Sequence, residues 1–297
     1  MKKPEQRARN VLTLRKPRLE FLATGGASAW MVVIGAITVL AVVMMTILSP
    51  YISPFNPSAI NVGPLLQPPN SRFPLGTNHL GEDMLSRVLW GGWVMLQVAI
   101  LSVVICSIIG VTIGLVGAYA GGFVDKISSL VMDSIYAFPG LVLAIAISAM
   151  LGPGVINMAL AIAVVYIPSY FRVVRSQVLT VKELTYVEAA RALGAKSRRI
   201  LTRYILPNLL PSVVVVITLN FADAILTAAG LTFLGLGVPV STADWGWDLT
   251  YGRQLLFSGA WWVIGFPGLM IVVTVWGFTI MGEGLSELLN PKLREIA

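Results

Sequence analysis

The sequence predicts an all-α membrane protein with six transmembrane helices, on three observations. Hydrophobic residues make up 56% of the 297 and charged residues only 12%, with a mean hydropathy of +0.82. Soluble domains carry about 25% charged residues, so this chain lacks the polar surface to cover a water-soluble globule. Apolar runs of roughly the 20 residues needed to cross hydrocarbon recur along the chain. The basic residues gather in segments that alternate spans leave on one side of the bilayer.

The first apolar run, residues 30–48, contains no charge. It is longer than a signal-peptide core and lacks a small-x-small cleavage site, so it is expected to remain as a span. Five more spans are expected at residues 94–118, 130–151, 155–171, 212–233 and 263–281, which puts both termini on one side. That side takes Lys2, Lys3, Arg7, Arg9, Arg15, Lys16 and Arg18 from the N-terminal tail. It also takes Lys126, the eight basic residues from Arg172 to Arg203, and Lys292 and Arg294, 18 in all, against three (Arg72, Arg87, Arg253) on the other side. Both termini are therefore expected to be cytoplasmic. Topology accounts for the net charge of +7, and no nucleic-acid partner is expected.

The expected organisation is a basic cytoplasmic tail (1–28), a first span (29–49), an outer Pro/Gly-rich segment (50–92), a five-helix membrane domain (93–284) and a cytoplasmic tail (285–297). The outer segment should be ordered loop with short helices. Within the membrane domain the cytoplasmic loop 172–207 stands out. Residues 181–195 read as a helix, Gly194 breaks it, a second helical stretch covers 197–206, and Pro207 stands at the foot of the fifth span. A helix–Gly–helix element there is a shape suited to docking, or to lying along the membrane surface.

Several classes of chemistry are excluded. His79 is the one histidine and Cys106 the one cysteine, so no multi-histidine metal site, internal disulfide or catalytic cluster is expected. No G-x-x-x-x-G-K-[ST] occurs, so any ATP is handled by another chain. An ion-driven carrier typically shows repeats and mid-membrane charges; here Asp223 is the single ionisable residue well inside a span and no repeat is evident. Asp223 is thus a candidate for the translocation path, with a structural place near the outer interface as the alternative. Asp133, near the start of the third span, is expected to be structural. Trp90, Trp93, Trp245, Trp247, Trp261 and Trp262 cluster near outer boundaries and read as an aromatic belt.

The stretch Glu188-Ala189-Ala190-Arg191-Ala192-Leu193-Gly194, followed by Ile205-Leu206-Pro207-Asn208, resembles the cytoplasmic EAA loop of ABC-importer permeases. The outer segment Leu75-Gly76-Thr77 with Gly81 to Arg87 is similar to that of the dipeptide/oligopeptide/nickel permeases. So are Gly117 to Gly122, Phe138-Pro139, Leu231 to Gly237, Trp245-Gly246, Phe266-Pro267-Gly268, Gly282 to Leu285 and Asn290-Pro291. The similarity covers residues 30–295, and the long outer loop matches the "C" type permease subunit. Departures are Asn78 where Asp is usual, Glu82 where Arg is usual, Tyr204 for His and Thr279 for Asn.

The resemblance implies a type I ABC-importer permease fold in a cytoplasmic membrane, carrying peptides, or alternatively nickel chelates, opines or oligosaccharides. It implies a second homologous permease, two cytoplasmic ATPase subunits that hold ATP and Mg, and an extracytoplasmic substrate-binding protein. Glu188, Ala189, Ala190 and Gly194 would then couple this chain to an ATPase. The small alanines would permit close helix contact, and Gly194 the sharp turn.

Overall fold

The computed structural model describes residues 26–239 and 241–289. The chain runs through α1 (Gly26–Ile52), α2 (Met84–Ala120), α3 (Gly122–Tyr136), α4 (Gly140–Leu151) and α5 (Val155–Val181). It continues through α6 (Thr185–Ala192), α7 (Ser197–Ile200), α8 (Leu206–Phe233), α9 (Trp245–Leu255) and α10 (Trp262–Leu289). Among the described residues no strand forms beyond a single antiparallel bridge, Thr77 with Asp83. A long apolar segment in lipid must satisfy its own backbone, which leaves the helix as the available answer for these runs.

Five stretches are long and apolar enough to cross a membrane: α1, α2, α5, the continuous run Ser197–Phe233, and α10. The third expected span is not one rod. Residues 130–151 fall on α3 and α4, which meet at a bend of 89°. The cause is local: Pro139 has no amide hydrogen and disfavours helical geometry in Phe138 before it, and Gly140 follows. At 12 residues, α4 is about 18 Å long, too short to cross hydrocarbon without α3.

Other boundaries also moved. The fourth span does not stop at 171; α5 runs unbroken to Val181, held along its last turns by Arg172 and Arg175, which pair with Asp133 and Asp125 on α3. α2 begins at Met84, ten residues before the expected start, because Asp83 caps it: its Oδ2 accepts from the Ser86 amide at 2.8 Å and the Ser86 hydroxyl at 2.6 Å. The outer segment between α1 and α2 contains no helix; it is ordered by turns and backbone hydrogen bonds. Residues 1–25 and 290–297, which hold both expected tails, Lys292, Arg294 and the Asn290-Pro291 pair, lie outside the described residues.

The core is formed where α2, α5, α8 and α10 pack, around Met95, Met158, Ile162, Ile225 and Trp245. α2 and α5 approach closely at Gly110 and Gly114, a four-residue small-residue spacing. A Cβ on Gly110 would lie 2.6 Å from that of Tyr170 and 2.7 Å from the Ile167 carbonyl, so only glycine lets these backbones meet.

The tryptophans correct the belt reading. Trp245 is fully buried and its indole donates to the Val88 carbonyl at 2.8 Å. Trp262 is also buried and donates to the Thr77 carbonyl at 3.0 Å. Trp261, by contrast, is exposed. These rings pin the outer segment and α9 to the bundle.

Candidate functional site: a docking loop and a mid-span carboxylate

The two ends of the bundle differ in content. The basic end carries the loop between α5 and α8; the far end carries the segment between α1 and α2 together with α9. At the basic end α6 is two turns long and amphipathic. Val187 and Ala190, three residues apart, are buried, and Val187 packs with Ile200, Ile205 and Leu209 of the following helical run. Glu188 and Ala189 face outward. Ala190 therefore does not join Ala189 on the bare face, as the expectation for the coupling residues had it; its small side chain serves packing within this chain.

Gly194 sits at φ +80°. Its amide donates to the Arg191 carbonyl and the Ala195 amide to the Ala190 carbonyl, both at 3.0 Å, which is the Schellman arrangement for ending a helix with a left-handed residue. A Cβ there would meet nothing within 4 Å, so the demand for glycine is conformational and not steric. The outward face holds one residue that the motif reading missed. Leu193 is 88% exposed, four positions after Ala189 and so on the same face. A leucine at the end of a short polar helix was the available signal.

In the second half of the loop the expected helical stretch, 197–206, and the fifth span form one continuous run. α7 passes through one π-helical turn, Leu201–Ile205, straight into α8, and the Leu206 amide bonds back to the Leu201 carbonyl. Pro207 explains the wide turn: it lacks a donor and its ring crowds the carbonyl four residues earlier, and an added residue per turn relieves both. The Tyr204 ring meets that of Tyr186 of α6 at a tilt of 32° with centroids 6.5 Å apart, and the Asn208 amide donates to the Tyr186 hydroxyl at 3.1 Å. α6 is thereby attached to the foot of α8.

Asp223 lies on α8, about 25 Å from its first residue and about 15 Å from its last at 1.5 Å per residue, hence at membrane depth. Its side chain is exposed on the surface of this single chain and has no ion-pair partner among the described residues. It lines a cavity of 320 Å³ with Tyr136, Phe138, Tyr166, Ser169 and Asn220, so the bend between α3 and α4 forms one wall. The Tyr166 hydroxyl is 3.0 Å from that of Thr227. Asn220 is 4% exposed and its Nδ2 lacks a partner. Nearer the basic end, α5 and α8 also line a separate cavity of 410 Å³ with Val173, Gln177, Ser212 and Val216, where Gln177 donates to Ser212.

At the far end, Arg87 is buried with two carboxylates. Its Nε donates to Asp248 at 2.7 Å, and its Nη1 donates to Glu82 at 2.9 Å and to the Pro57 carbonyl at 3.2 Å. Asn78 donates to the same Glu82 oxygen. Two of the noted departures are thus one contact: Glu82 accepts where the usual residue would donate, and Asn78 supplies the donor that an aspartate could not. The His79 ring lies 4.6 Å from that of Tyr251 at a tilt of 38°, and burial holds its pKa below the usual value. Burial pushes the Asp248 carboxyl up, against the pull of Arg87. No group of His, Cys, Asp and Glu among the described residues is placed to hold a metal ion.

Comparison with known proteins follows the same lines. A family model described as "Binding-protein-dependent transport system inner membrane component" matches residues 110–295. A putative peptide transport system permease protein of Brucella suis is 40% identical over 261 residues, 88% of each chain. A di/tripeptide transport system permease protein of Pseudomonas aeruginosa is 40% identical over 269 residues, 89% of this chain and 88% of its own. A probable D,D-dipeptide transport system permease protein of Escherichia coli is 36% identical over 283 residues, 93% and 95% of the two chains. A chain of the MetNI methionine ABC transporter, solved in inward-facing conformations, superposes with a TM-score of 0.55 at 19% identity, over 70% of this chain and 98% of that one. That likeness concerns the fold.

Proposed function

The chain belongs to the binding-protein-dependent transport system inner membrane component family, and from that premise we propose that it is the permease subunit of an ATP-binding-cassette importer for di- and oligopeptides. The chain itself is non-catalytic in this reading. A second homologous permease completes the path, two cytoplasmic ATPases hold ATP and Mg, and an extracytoplasmic binding protein delivers cargo. Both termini lie in the cytoplasm, as the placement of the basic residues requires. The relatives named for peptide, di/tripeptide and D,D-dipeptide transport favour peptides over nickel chelates, opines or sugars.

The observation that carries the reading is α6. Its inner face is packed by Val187 and Ala190, while Glu188, Ala189 and Leu193 are bare on a loop set among basic residues. A small-residue face with one large apolar anchor suits insertion into a cleft of a partner, with Glu188 in the first turn, favoured by the helix dipole, as its polar contact. The exposed carboxylate of Asp223 supports the position of the path. A charge at that depth is too costly to face lipid, so the groove between α5 and α8 turns toward the second permease and the cargo.

Reconstitution tests this. The four-component assembly in liposomes should take up a labelled tripeptide only with ATP inside and binding protein outside. Uptake driven by an ion gradient without ATP would restore the secondary-transporter reading, and uptake of a nickel chelate in place of the peptide would change the cargo. A reporter fused at the C-terminus that reads as extracytoplasmic would overturn the topology.

A further inference from the structure

We propose that the cavity at the bend of the third span is a transient subsite for the protonated amino terminus of the peptide, with Asp223 as its counter-ion. The inference rests on the peptide reading above and adds what the path recognises.

Peptides of different sequence share few groups: one terminal ammonium, one terminal carboxylate and the backbone amides. A path that accepts many of them has to interact with these shared groups. The chemistry on the wall of the 320 Å³ cavity sorts among them. Asp223 is an acceptor only and would repel a carboxylate. Three aromatic rings, Tyr136, Phe138 and Tyr166, line the same space; one face of Tyr136 is taken by Arg172, and the rings of Phe138 and Tyr166 can attract a cation. No lysine or arginine contributes to the lining; Arg172, whose guanidinium lies 4.0 Å over the Tyr136 ring, is paired with Asp133 at 2.8 Å. The carboxylate therefore has no counter-ion among the described residues, although its depth makes an unpaired charge costly. Asn220, one helical turn below and nearly buried, has an unpartnered amide nitrogen; as a donor it suits a backbone carbonyl of the peptide and not the ammonium.

The alternative occupant is a basic side chain of the second permease, which would make Asp223 an interface pin. The two differ in what they predict. A cargo subsite distinguishes cargo with and without an ammonium; a pin does not.

The test uses the complete assembly in liposomes and a pair of labelled tripeptides, one free and one N-acetylated, each delivered by the same binding protein. The quantity read is the ratio of the two uptake rates in wild type divided by that ratio in Asp223→Asn. The binding protein's own preference cancels in this double ratio. Loss of a charge-assisted contact should bring the double ratio to about tenfold, and Asp223→Glu, which keeps the charge, should restore most of the wild-type preference. A double ratio of one with both rates reduced overturns the ammonium subsite while keeping Asp223 in the path. A double ratio of one with both rates unchanged removes Asp223 from the path as well. Failure of Asp223→Asn to assemble with the second permease, where Asp223→Glu assembles, assigns the carboxylate to the subunit interface and overturns the proposal. Absence of ATP-dependent uptake of either peptide by the wild-type assembly would instead count against the function proposed above.

Discussion

Arginine meets carboxylate at both ends of this molecule, in opposite surroundings. At the far end Arg87, Glu82 and Asp248 are each 5% exposed or less, and the group joins α2 and the segment before it to α9, with Arg87 and Asp248 161 residues apart in sequence. At the basic end Arg172 and Asp133 are about half exposed, and Arg175 reaches Asp125 from a partly open position with two parallel 2.7 Å bonds. These inner pairs connect α3 to α5 across the arm of the bent span. A buried pair is held because breaking it strands a charge in low dielectric; an exposed pair is exchanged with water at little cost. The far end is thus built to stay, while at the basic end the Arg172–Asp133 pair can let go and the two-bond Arg175–Asp125 pair holds more firmly. That division suits the proposed importer, in which ATPases would act from the basic end.

The largest effect should come from the buried group. Arg87→Met should cost about 3–5 kcal/mol, because two carboxylates lose their cation; thermal unfolding of the purified assembly in detergent measures it. A loss below 1 kcal/mol would erase the contrast between the two ends. The next test is of pH. Burial pushes the Asp244 carboxyl, which caps α9, up to about 7 from 3.8. The folded chain therefore holds an extra proton between those values. Its stability is full below the lower one, falls as pH rises through the window and levels off above the upper one. Asp244→Asn keeps a good cap and should flatten unfolding profiles between pH 5 and 8, with a gain at pH 8 of roughly a few kcal/mol. An unchanged slope would mean that the carboxyl is not the titrating group.

At the basic end, Gly194→Val should cost about 1–2 kcal/mol for a branched residue at positive φ, and recovery of the ATPase in pull-downs should fall with it. Full recovery would detach the docking role from this turn. The smallest effect belongs to Arg172→Gln: at most about 1 kcal/mol at low salt and less at high salt. If it destabilised the assembly as much as Arg87→Met, the arm would be clamped and the idea of a yielding half would be lost.

What the sequence made legible followed from composition and period. Six apolar runs became five rods and one bent pair, and Gly194 ends α6 as its motif required. The break at Phe138-Pro139-Gly140 was written in the chain but hidden inside an apolar run, since hydropathy does not register a bend. The extension of α5 to Val181 was hidden for the converse reason. Arg172 and Arg175 read as loop residues, and only their partners on α3, 39 and 50 positions away, show them to be the side of a helix. Trp245 and Trp262 looked like belt residues because amphipathic rings suit either an interface or a core with an acceptor at hand, and the acceptors Val88 and Thr77 are remote in sequence. Asp223 was visible as a charge in a span, but its cavity depends on the bend and was not.

The π turn at Leu201–Ile205 has a consequence for helical phase. From Ser197 to Phe233 the chain is one helical run of 37 residues, about 55 Å long, with α6 attached at its foot and Asp223 on its upper half. Each residue of an α-helix turns the chain by about 100°, and a π turn accommodates one residue more than the regular winding would. The direction in which Asp223 faces, relative to the docking loop, is therefore preserved by that wide turn. Deleting one residue from this turn would rewind it as regular helix and leave the bearing of the carboxylate almost unchanged, because the wide turn is what absorbs that residue. A second deletion, with no wide turn to absorb it, would swing the carboxylate out of the groove by about a quarter-turn. Removing or adding four residues, close to a full turn, would leave the bearing almost as it was while changing only the reach.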